Sequence, residues 1–179
     1  YPYQRPPLSK KFLTGQFLEE RLLLKKIDYY KTNNIKVLLS KKATKIDRDR
    51  KKVHLQSGEK IDYTKLVIAT GSRAKKAPLS DRNNYSNVFY LRNLHDAKNF
   101  KKQLHHGKKI LIIGGGYLGL EVASVCCSFG MNTIVVEGND RILKRVAGEP
   151  TAAYLRDIFI KKGVKVIENN FVKRINHIE

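Results

Sequence analysis

The chain has 179 residues, of which 36 are Lys or Arg and 16 are Asp or Glu, giving a formal net charge of +20. Hydrophobic residues make up 41% of the sequence, which is enough for a buried core and excludes a wholly disordered chain. No apolar run approaches the ~18 residues of a membrane-spanning helix, so we expect no membrane span. The two cysteines, Cys126 and Cys127, are adjacent and give neither a disulfide framework nor metal-ligand spacing. We therefore expect a cytoplasmic protein without a metal site.

Lysine pairs are spread along the whole chain, from Lys10-Lys11 to Lys161-Lys162, and form no dense stripe or basic tail. A concentrated basic patch would attract nucleic acid or an anionic membrane. Scattered pairs are instead typical of a solvated surface, so we expect no nucleic-acid partner. A basic surface also favours the approach of an acidic protein partner.

The first third of the sequence opens with a loop and a helical pattern. Prolines at positions 2, 6 and 7 predict an extended loop over residues 1–9. Apolar residues at helical spacing, with Glu early and Lys late, predict an amphipathic helix over residues 17–30. Asn33 and Asn34 are expected to end it.

Strand patterns follow this helix. A short apolar run covers residues 35–39, and alternating patterns at 43–46, 52–55 and 61–63 predict a small antiparallel meander. Residues 66–69 form a continuous apolar run that stops at a Thr-Gly pair. Such a run predicts a strand that is buried on both faces of a parallel sheet.

The second half alternates between strand and helix patterns after a polar connection over residues 74–90. A helix is predicted over residues 93–106, with a domain boundary near residue 91. Three strands then alternate with two helices, at residues 109–113, 117–129, 132–137, 150–162 and 164–167. This order with short links is typical of a right-handed parallel unit, half of a Rossmann fold.

The first of these strands runs into the glycine-rich sequence Gly114-Gly115-Gly116-Tyr117-Leu118-Gly119, which opens the next helix. In this context Gly114 permits a tight turn, Gly116 lets a pyrophosphate approach the backbone, and Gly119 lets the helix pack closely on the sheet. The N–H groups of the first helical turn would then bind the phosphates of NAD. The alternative is a glycine turn that binds no ligand.

Glu137 lies 18 residues after Gly119, at the end of the second strand of this unit. A carboxylate there can accept hydrogen bonds from both ribose hydroxyls of NAD, and it would repel the 2′-phosphate of NADPH. We therefore expect NADH to be preferred. Arg141 and Lys144 follow closely enough to keep NADPH open as an alternative.

Glu121 follows the glycine loop among apolar neighbours on the same predicted helix. A carboxylate on a helix that packs against a sheet is rare unless it is paired or functional. The residues alone leave two alternatives, an acid that points to water at the edge of the sheet and an acid with a specific partner.

Four motifs occur in order with fitting separations, at residues 3–10 (YQRPPLSK), 66–71 (LVIATG), 90–97 (YLRNLHDA) and 113–121 (IGGGYLGLE). Together they resemble the FAD-dependent pyridine-nucleotide oxidoreductases, in the branch of NAD(P)H–ferredoxin reductases and apoptosis-inducing factor. The resemblance covers essentially the whole chain.

The resemblance implies an α/β fold with two Rossmann-like domains, a partial FAD-binding domain over residues 1–90 and a partial NAD-binding domain over residues 91–179. The family's first strand with its own glycine loop, its C-terminal flavin motif and its interface domain have no counterpart in the sequence. We therefore expect an internal fragment of a reductase, which alone binds FAD poorly and turns over little.

The resemblance also implies the roles of individual residues. Lys10 is expected near the flavin, paired with Glu121 beside the flavin N5 atom, and these two are the candidate catalytic residues. We expect a buried pair, for which removing one partner would cost about 3–5 kcal/mol of stability. Contacts with FAD are expected from Arg5, Lys10, Ala43, Thr70, Gly71 and Arg92.

The reaction implied by the resemblance is hydride transfer from NADH to FAD, followed by single-electron transfer to a ferredoxin-type iron–sulfur protein. Disulfide reductases of the wider superfamily carry a redox cysteine pair early in the FAD domain, and residues 6–13 contain no cysteine. The electrons are therefore expected to leave to a separate acceptor. The alternative is a redox-sensing, NADH-binding flavoprotein that acts through interactions, and a homodimer also stays open.

Overall fold

The computed structural model describes residues 1–76 and 85–175. The chain divides into two compact units, one comprising Tyr1–Tyr3 and Leu23–Arg73, the other comprising Gln4–Leu22 and Ala74–Glu179. These two units do not test the predicted boundary near residue 91 between an FAD-binding and an NAD-binding domain, which stays a prediction. Part of the predicted polar connection, residues 77–84, lies outside the described residues.

The first unit contains the predicted meander. Its strands are β1 (Ala43–Asp47), β2 (Lys52–Leu55) and β3 (Lys60–Asp62), which pair antiparallel in the order β1-β2-β3. Gly58, with φ +86°, lies in the turn between β2 and β3, where the left-handed backbone favours glycine. The structure thus confirms the predicted meander, which the sequence indicates through short strand patterns and turn residues.

The predicted helix over residues 17–30 is wrong for most of its length. The structure has a short 3₁₀ helix at Glu19–Leu22 and a helix α1 only at Ile27–Thr32. The carbonyl of Leu22 accepts a hydrogen bond from Gln4 N–H at 2.8 Å, and the N–H of Leu24 donates to the carbonyl of Pro2 at 3.1 Å. The backbone of this segment therefore bonds to the N-terminal loop and does not form the hydrogen bonds of a continuous helix. The N-terminal loop itself includes a 3₁₀ helix at Pro6–Ser9.

The two apolar runs of the first unit, residues 35–39 and 66–69, form no strand among the described residues. Val67 and Ile68 are 86% and 68% exposed. A strand needs a neighbour for its backbone N–H and C=O groups. No strand of the described chain pairs with either run. Apolar content without a pairing partner is therefore not enough to form a strand at these positions.

The second unit contains a parallel sheet. Strands β4 (Lys109–Ile113), β5 (Asn132–Val136) and β6 (Lys165–Ile167) lie in the order β4-β5-β6. Helices α3 (Tyr117–Ser128) and α4 (Glu149–Lys161) connect them. The predicted α/β fold class, with an antiparallel meander and a parallel Rossmann-type sheet, is confirmed.

Helix α2, at Leu94–Lys101, precedes this sheet and is shorter than the predicted helix over residues 93–106. Its start is fixed by a capping box, in which the Asn93 side chain accepts from Asp96 N–H and the Asp96 carboxylate accepts from Asn93 N–H. The early end shows that local helical spacing overestimated its length.

The core of the second unit lies between the sheet and helices α3 and α4. Its buried members come from both helices, from β5, from the loop after β5 and from the link between α4 and β6: Leu120, Ala123, Val135, Ile142, Leu143, Ala152 and Val164. This packing holds the start of α3 against the carboxyl end of β4, which is where the glycine loop lies. Among the described residues, none of the helices combines the length and the apolar character needed to cross a bilayer.

Candidate functional site

The loop from Gly114 to Gly119 turns the chain from β4 into α3. Gly114 has φ +109°, and its N–H donates to the carbonyl of Val136 in β5 at 2.8 Å. A Cβ at Gly119 would lie 1.9 Å from the carbonyl oxygen of Gly114. The loop therefore requires glycine at its first position for the turn and at its last position for the close approach of α3.

Within the loop, Gly116 faces open space. Gly116 is the N-cap of α3, no side chain caps its first turn, and a Cβ built on Gly116 would meet no atom within 4 Å. Tyr117 and Leu118 begin the helix with exposed side chains. The uncapped N–H groups at the start of a 12-residue helix fit a phosphate group.

Glu137 lies directly after β5 and contacts this loop. Its Oε2 atom accepts a hydrogen bond from Gly115 N–H at 2.7 Å, and its Oε1 atom accepts from Asn139 N–H at 2.8 Å. Partial burial acts to raise the pKa of the Glu137 carboxyl, but the hydrogen bonds from Asn139 and Gly115 outweigh it and hold the pKa below its ordinary value. Glu137 is therefore a stable anion at neutral pH, attached to the glycine loop.

Arg141 and Lys144, the two cations that could favour NADPH, both contact residues of their own loop. The Arg141 guanidinium donates from Nη1 to the carbonyl of Ala147 at 2.9 Å, and the Lys144 ammonium lies 2.9 Å from the Asp140 carboxylate. Both cations therefore have partners within this loop.

Glu121 has a specific partner, which decides between the two alternatives for this acid. Its Oε1 atom lies 3.0 Å from Lys10 Nζ, and its Oε2 atom accepts a hydrogen bond from Ser9 Oγ at 2.5 Å. The Lys10 and Glu121 side chains are 53% and 29% exposed. The expectation of a buried pair is therefore wrong. Lys10 lines a cleft of about 290 Å³, together with Thr14 and Ser124.

Ser9 is a member of this group that the sequence reasoning missed. It is 4% exposed and ends the 3₁₀ helix at Pro6–Ser9, so its hydroxyl holds one oxygen of Glu121 while Lys10 takes the other. The signal was the serine directly before Lys10 in the first motif. A three-residue group of Ser9, Lys10 and Glu121 results.

The other candidate flavin residues are divided between the two units. In the second unit, Arg5 is exposed, and Arg92 is half-buried with its N–H donating to the Asp96 carboxylate at 3.0 Å. In the first unit, Ala43 begins β1, and Thr70 and Gly71 are exposed. Their backbone or side chains are accessible, and their contacts with FAD stay predictions.

The two cysteines take no part in either group. Cys126 is fully buried, and burial raises the pKa of its thiol to about 11. Cys127 donates from Sγ to the carbonyl of Lys162 at 3.0 Å. Over residues 1–76 and 85–175, no three side chains of His, Cys, Asp or Glu are grouped to hold a metal ion.

A second acid at a strand end was also missed. Glu168 follows β6, accepts a hydrogen bond from Ile142 N–H at 2.9 Å and lies 3.0 Å from the Nε atom of Arg156 in α4. The Arg156 contact is an ion pair without hydrogen-bond alignment. Glu168 occupies the place after β6 that Glu137 occupies after β5, and it fixes the loop beside the candidate site.

Comparison with known proteins places this geometry in a family. Residues 1–179 match the family described as pyridine nucleotide-disulphide oxidoreductase. The chain is 39% identical over 163 residues to rubredoxin-NAD(+) reductase of Pseudomonas putida and 36% identical over 167 residues to putidaredoxin reductase of the same organism. These matches cover 91% and 92% of the chain, and 42% and 40% of the relatives.

Solved structures give the same result. The putidaredoxin reductase–putidaredoxin covalent complex contains a chain that matches with a TM-score of 0.93 at 35% identity, over 98% of this chain and 42% of that one. The chain thus spans about two fifths of the length of the relatives that it matches. Because the family match covers every residue, the chain belongs to the pyridine nucleotide-disulphide oxidoreductase family.

Proposed function

We propose that the protein is a flavoprotein reductase that passes electrons from NADH through FAD to a small iron–sulfur protein. The observation that carries the proposal is the hydrogen bond from Gly115 N–H to the Glu137 carboxylate, which joins the glycine loop and the acid into one nucleotide site. Relatives named as rubredoxin and putidaredoxin reductases support the reaction class.

The nucleotide-binding step follows from the loop geometry. The open space at Gly116 and the first N–H groups of α3 receive the pyrophosphate of the nucleotide. The Glu137 carboxylate, an anion at neutral pH, accepts the ribose hydroxyls and repels a 2′-phosphate. NADH is therefore preferred over NADPH.

The flavin is proposed to contact Arg5, Lys10, Ala43, Thr70, Gly71 and Arg92. When bound, FAD supplies the chemistry that accepts a hydride and releases electrons one at a time. Lys10 holds a positive charge at the cleft, where it stabilises developing negative charge. Glu121 orients Lys10 through their 3.0 Å contact, and Ser9 in turn orients Glu121.

The acceptor is proposed to be an acidic ferredoxin-type iron–sulfur protein. The net charge of +20 favours its approach by electrostatic steering. Because salt screens this attraction, electron transfer slows as ionic strength rises. We also propose a cytoplasmic location, which the two unpaired thiols support. A homodimer is a further part of the proposal, and sedimentation would test it.

The first test concerns nucleotide choice. The Kd values of NADH and NADPH are measured for the wild-type protein and for Glu137→Gln. We expect the wild type to bind NADH more tightly, and the variant to lose on the order of tenfold in NADH affinity, as expected for a charged hydrogen bond. Equal affinities for the two nucleotides in the wild type would remove the proposed role of Glu137.

The second test concerns the reaction. The protein is reconstituted with FAD and mixed with NADH and a [2Fe–2S] ferredoxin. Lys10→Met is expected to slow flavin reduction on the order of tenfold. Lys98→Met is the control, because it removes a comparably exposed pair, with Glu19, outside the cleft. Flavin reduction without transfer to any ferredoxin would favour the redox-sensing alternative, and an equal slowing in Lys98→Met would exclude the proposed role of Lys10.

A further inference from the structure

Phe171 is an exposed aromatic residue beside the candidate nucleotide site that no motif and no part of the proposed function uses. Its side chain is 78% exposed, although a phenylalanine ring is among the most favourable groups to bury. It follows β6 by four residues, in the loop that faces Glu137.

The position of Phe171 is fixed by backbone hydrogen bonds to the loop after β5. Asn170 N–H donates to the carbonyl of Glu137 at 3.0 Å, and Asn169 N–H donates to the carbonyl of Asn139 at 2.8 Å. Asn169 has φ +56°, which turns the chain at this point. The two loops are therefore joined on both sides of Gly138, directly before the ring.

The ring of Phe171 lies on Gly138. A Cβ built at Gly138 would be 2.3 Å from the Cε1 atom of the ring, so any other residue at this position would displace it. Gly138 is the residue after Glu137. One side of the ring is therefore set against the backbone next to the acid, and most of the ring remains open to solvent.

We propose that Phe171 is the adenine-stacking residue of the nucleotide site. This inference rests on the proposed NADH site, in which Glu137 accepts the ribose hydroxyls. The adenine is bonded to that same ribose, so a dinucleotide held there places its base beside Glu137, within reach of the ring on Gly138. A flat, open aromatic face suits a purine base, and stacking adds affinity without a hydrogen bond to the base.

The test uses ADP-ribose, which has the adenine, both phosphates and both riboses of NAD but no nicotinamide, with the full chain. Calorimetry gives its Kd for the wild type, Phe171→Ala, Phe171→Tyr and Gly138→Ala. We expect Phe171→Ala to weaken binding on the order of tenfold and Phe171→Tyr to retain wild-type affinity. Gly138→Ala should weaken binding in the wild type but have little effect when combined with Phe171→Ala, because the displaced ring is then absent.

A spectroscopic measurement separates stacking from a structural role. The adenine H2 or H8 proton should show a nuclear Overhauser contact with the Phe171 ring, lost in Phe171→Ala. Tyr154→Ala is the matched control, because it removes a 67% exposed aromatic ring from α4. Unchanged affinity in Phe171→Ala, or an equal loss in Tyr154→Ala, would overturn the stacking role. A wild-type chain that binds neither ADP-ribose nor NADH would overturn the nucleotide site itself, and this inference with it.

Discussion

The two units of the chain differ in how much apolar surface they bury. Among the described residues of the first unit, Leu55 is the sole buried hydrophobic side chain. In the second unit, helices α3 and α4 close over β5 and form a continuous core. Both units nevertheless contain a three-stranded sheet. Strand pairing is thus separable from core formation in this molecule.

Two apolar runs show what makes the difference. Residues 66–69 in the first unit and strand β4 in the second have similar apolar content. Strand β4 pairs with β5 over its whole length, even though Leu111 and Ile113 are about half exposed. Residues 66–69 have no strand partner among the described residues and take no regular structure. A neighbouring strand therefore decides the outcome, and apolar content does not.

The largest expected effect compares the same substitution in the two units. Ile142 is fully buried in the second unit, whereas Ile68 is 68% exposed in the first. Ile142→Ala should lower the free energy of unfolding by about 3 kcal/mol, because it leaves a cavity. Ile68→Ala should change it by less than about 0.5 kcal/mol. Urea denaturation followed by circular dichroism measures both values, and equal losses would show that the first unit has a core of its own.

A somewhat smaller effect is expected within the glycine loop of the second unit. Gly119→Ala places a Cβ 1.9 Å from the Gly114 carbonyl oxygen and should lower the free energy of unfolding by about 2–3 kcal/mol. The control is Gly116→Ala, whose Cβ meets open space, and its cost should stay within about 1 kcal/mol. Gly116→Ala should nevertheless weaken NADH binding, measured by calorimetry. If Gly116→Ala destabilised the chain as much as Gly119→Ala, the loop would not have the described geometry.

The sequence predicted the second unit far better than the first. Gly114, Gly119 and Glu137 stand at spacings that determine local geometry, and strand, loop and helix follow one another with short links. The prediction of a helix over residues 17–30 failed because the backbone there bonds to the N-terminal loop. In the first unit, Leu24 N–H donates to the carbonyl of Pro2, a contact that helical spacing does not encode.

Side-chain contacts over long sequence separations were predicted only where a family pattern supplied them. The pairing of Lys10 with Glu121, 111 residues apart, came from the resemblance and is present in the structure, whereas its exposure was not predicted. Phe171 was missed because a single phenylalanine has no periodicity or charge pattern that marks it. The position of Ser9 directly before Lys10 does not by itself reveal its bond to Glu121. Their roles depend on which loops pack together.

A pH and salt comparison separates the two units by the cause of a pKa shift. In the first unit, the hydrogen bond and charge of Lys41 hold the pKa of Glu59 below its ordinary value. In the second unit, hydrogen bonds from backbone N–H groups lower the pKa of Glu137 against the opposing effect of burial. We expect 1 M salt to raise the pKa of Glu59 toward its ordinary value and to leave that of Glu137 nearly unchanged, because salt screens an exposed ion pair most. NMR titration measures both.

The lowered pKa of Glu137 predicts how this residue affects stability at different pH values. Below its ordinary pKa of 4.5, the unfolded chain takes up a proton before the folded chain does, so the stabilisation by Glu137 is present above pH 4.5 and is lost as the pH falls through the folded pKa. Glu137→Gln should lower the free energy of unfolding by about 1 kcal/mol at pH 7. The difference from the wild type should shrink below pH 4.5, and a difference that is independent of pH would contradict the assigned cause.

The smallest expected effect compares one ion pair from each unit. Lys10 and Glu121 are held by Ser9 in the second unit, whereas Lys52 and Asp62 pair across β2 and β3 in the first, with the Asp62 side chain 75% exposed. Double-mutant cycles should give a coupling free energy of about 1 kcal/mol for Lys10 with Glu121, and only a few tenths, about 0.3 kcal/mol, for Lys52 with Asp62. The difference arises because Ser9 already fixes the Glu121 carboxylate, so less side-chain freedom is lost when Lys10 binds it. Ser9→Ala should therefore reduce the first coupling toward the second, and an unchanged coupling would show that the serine hydroxyl does not orient the pair.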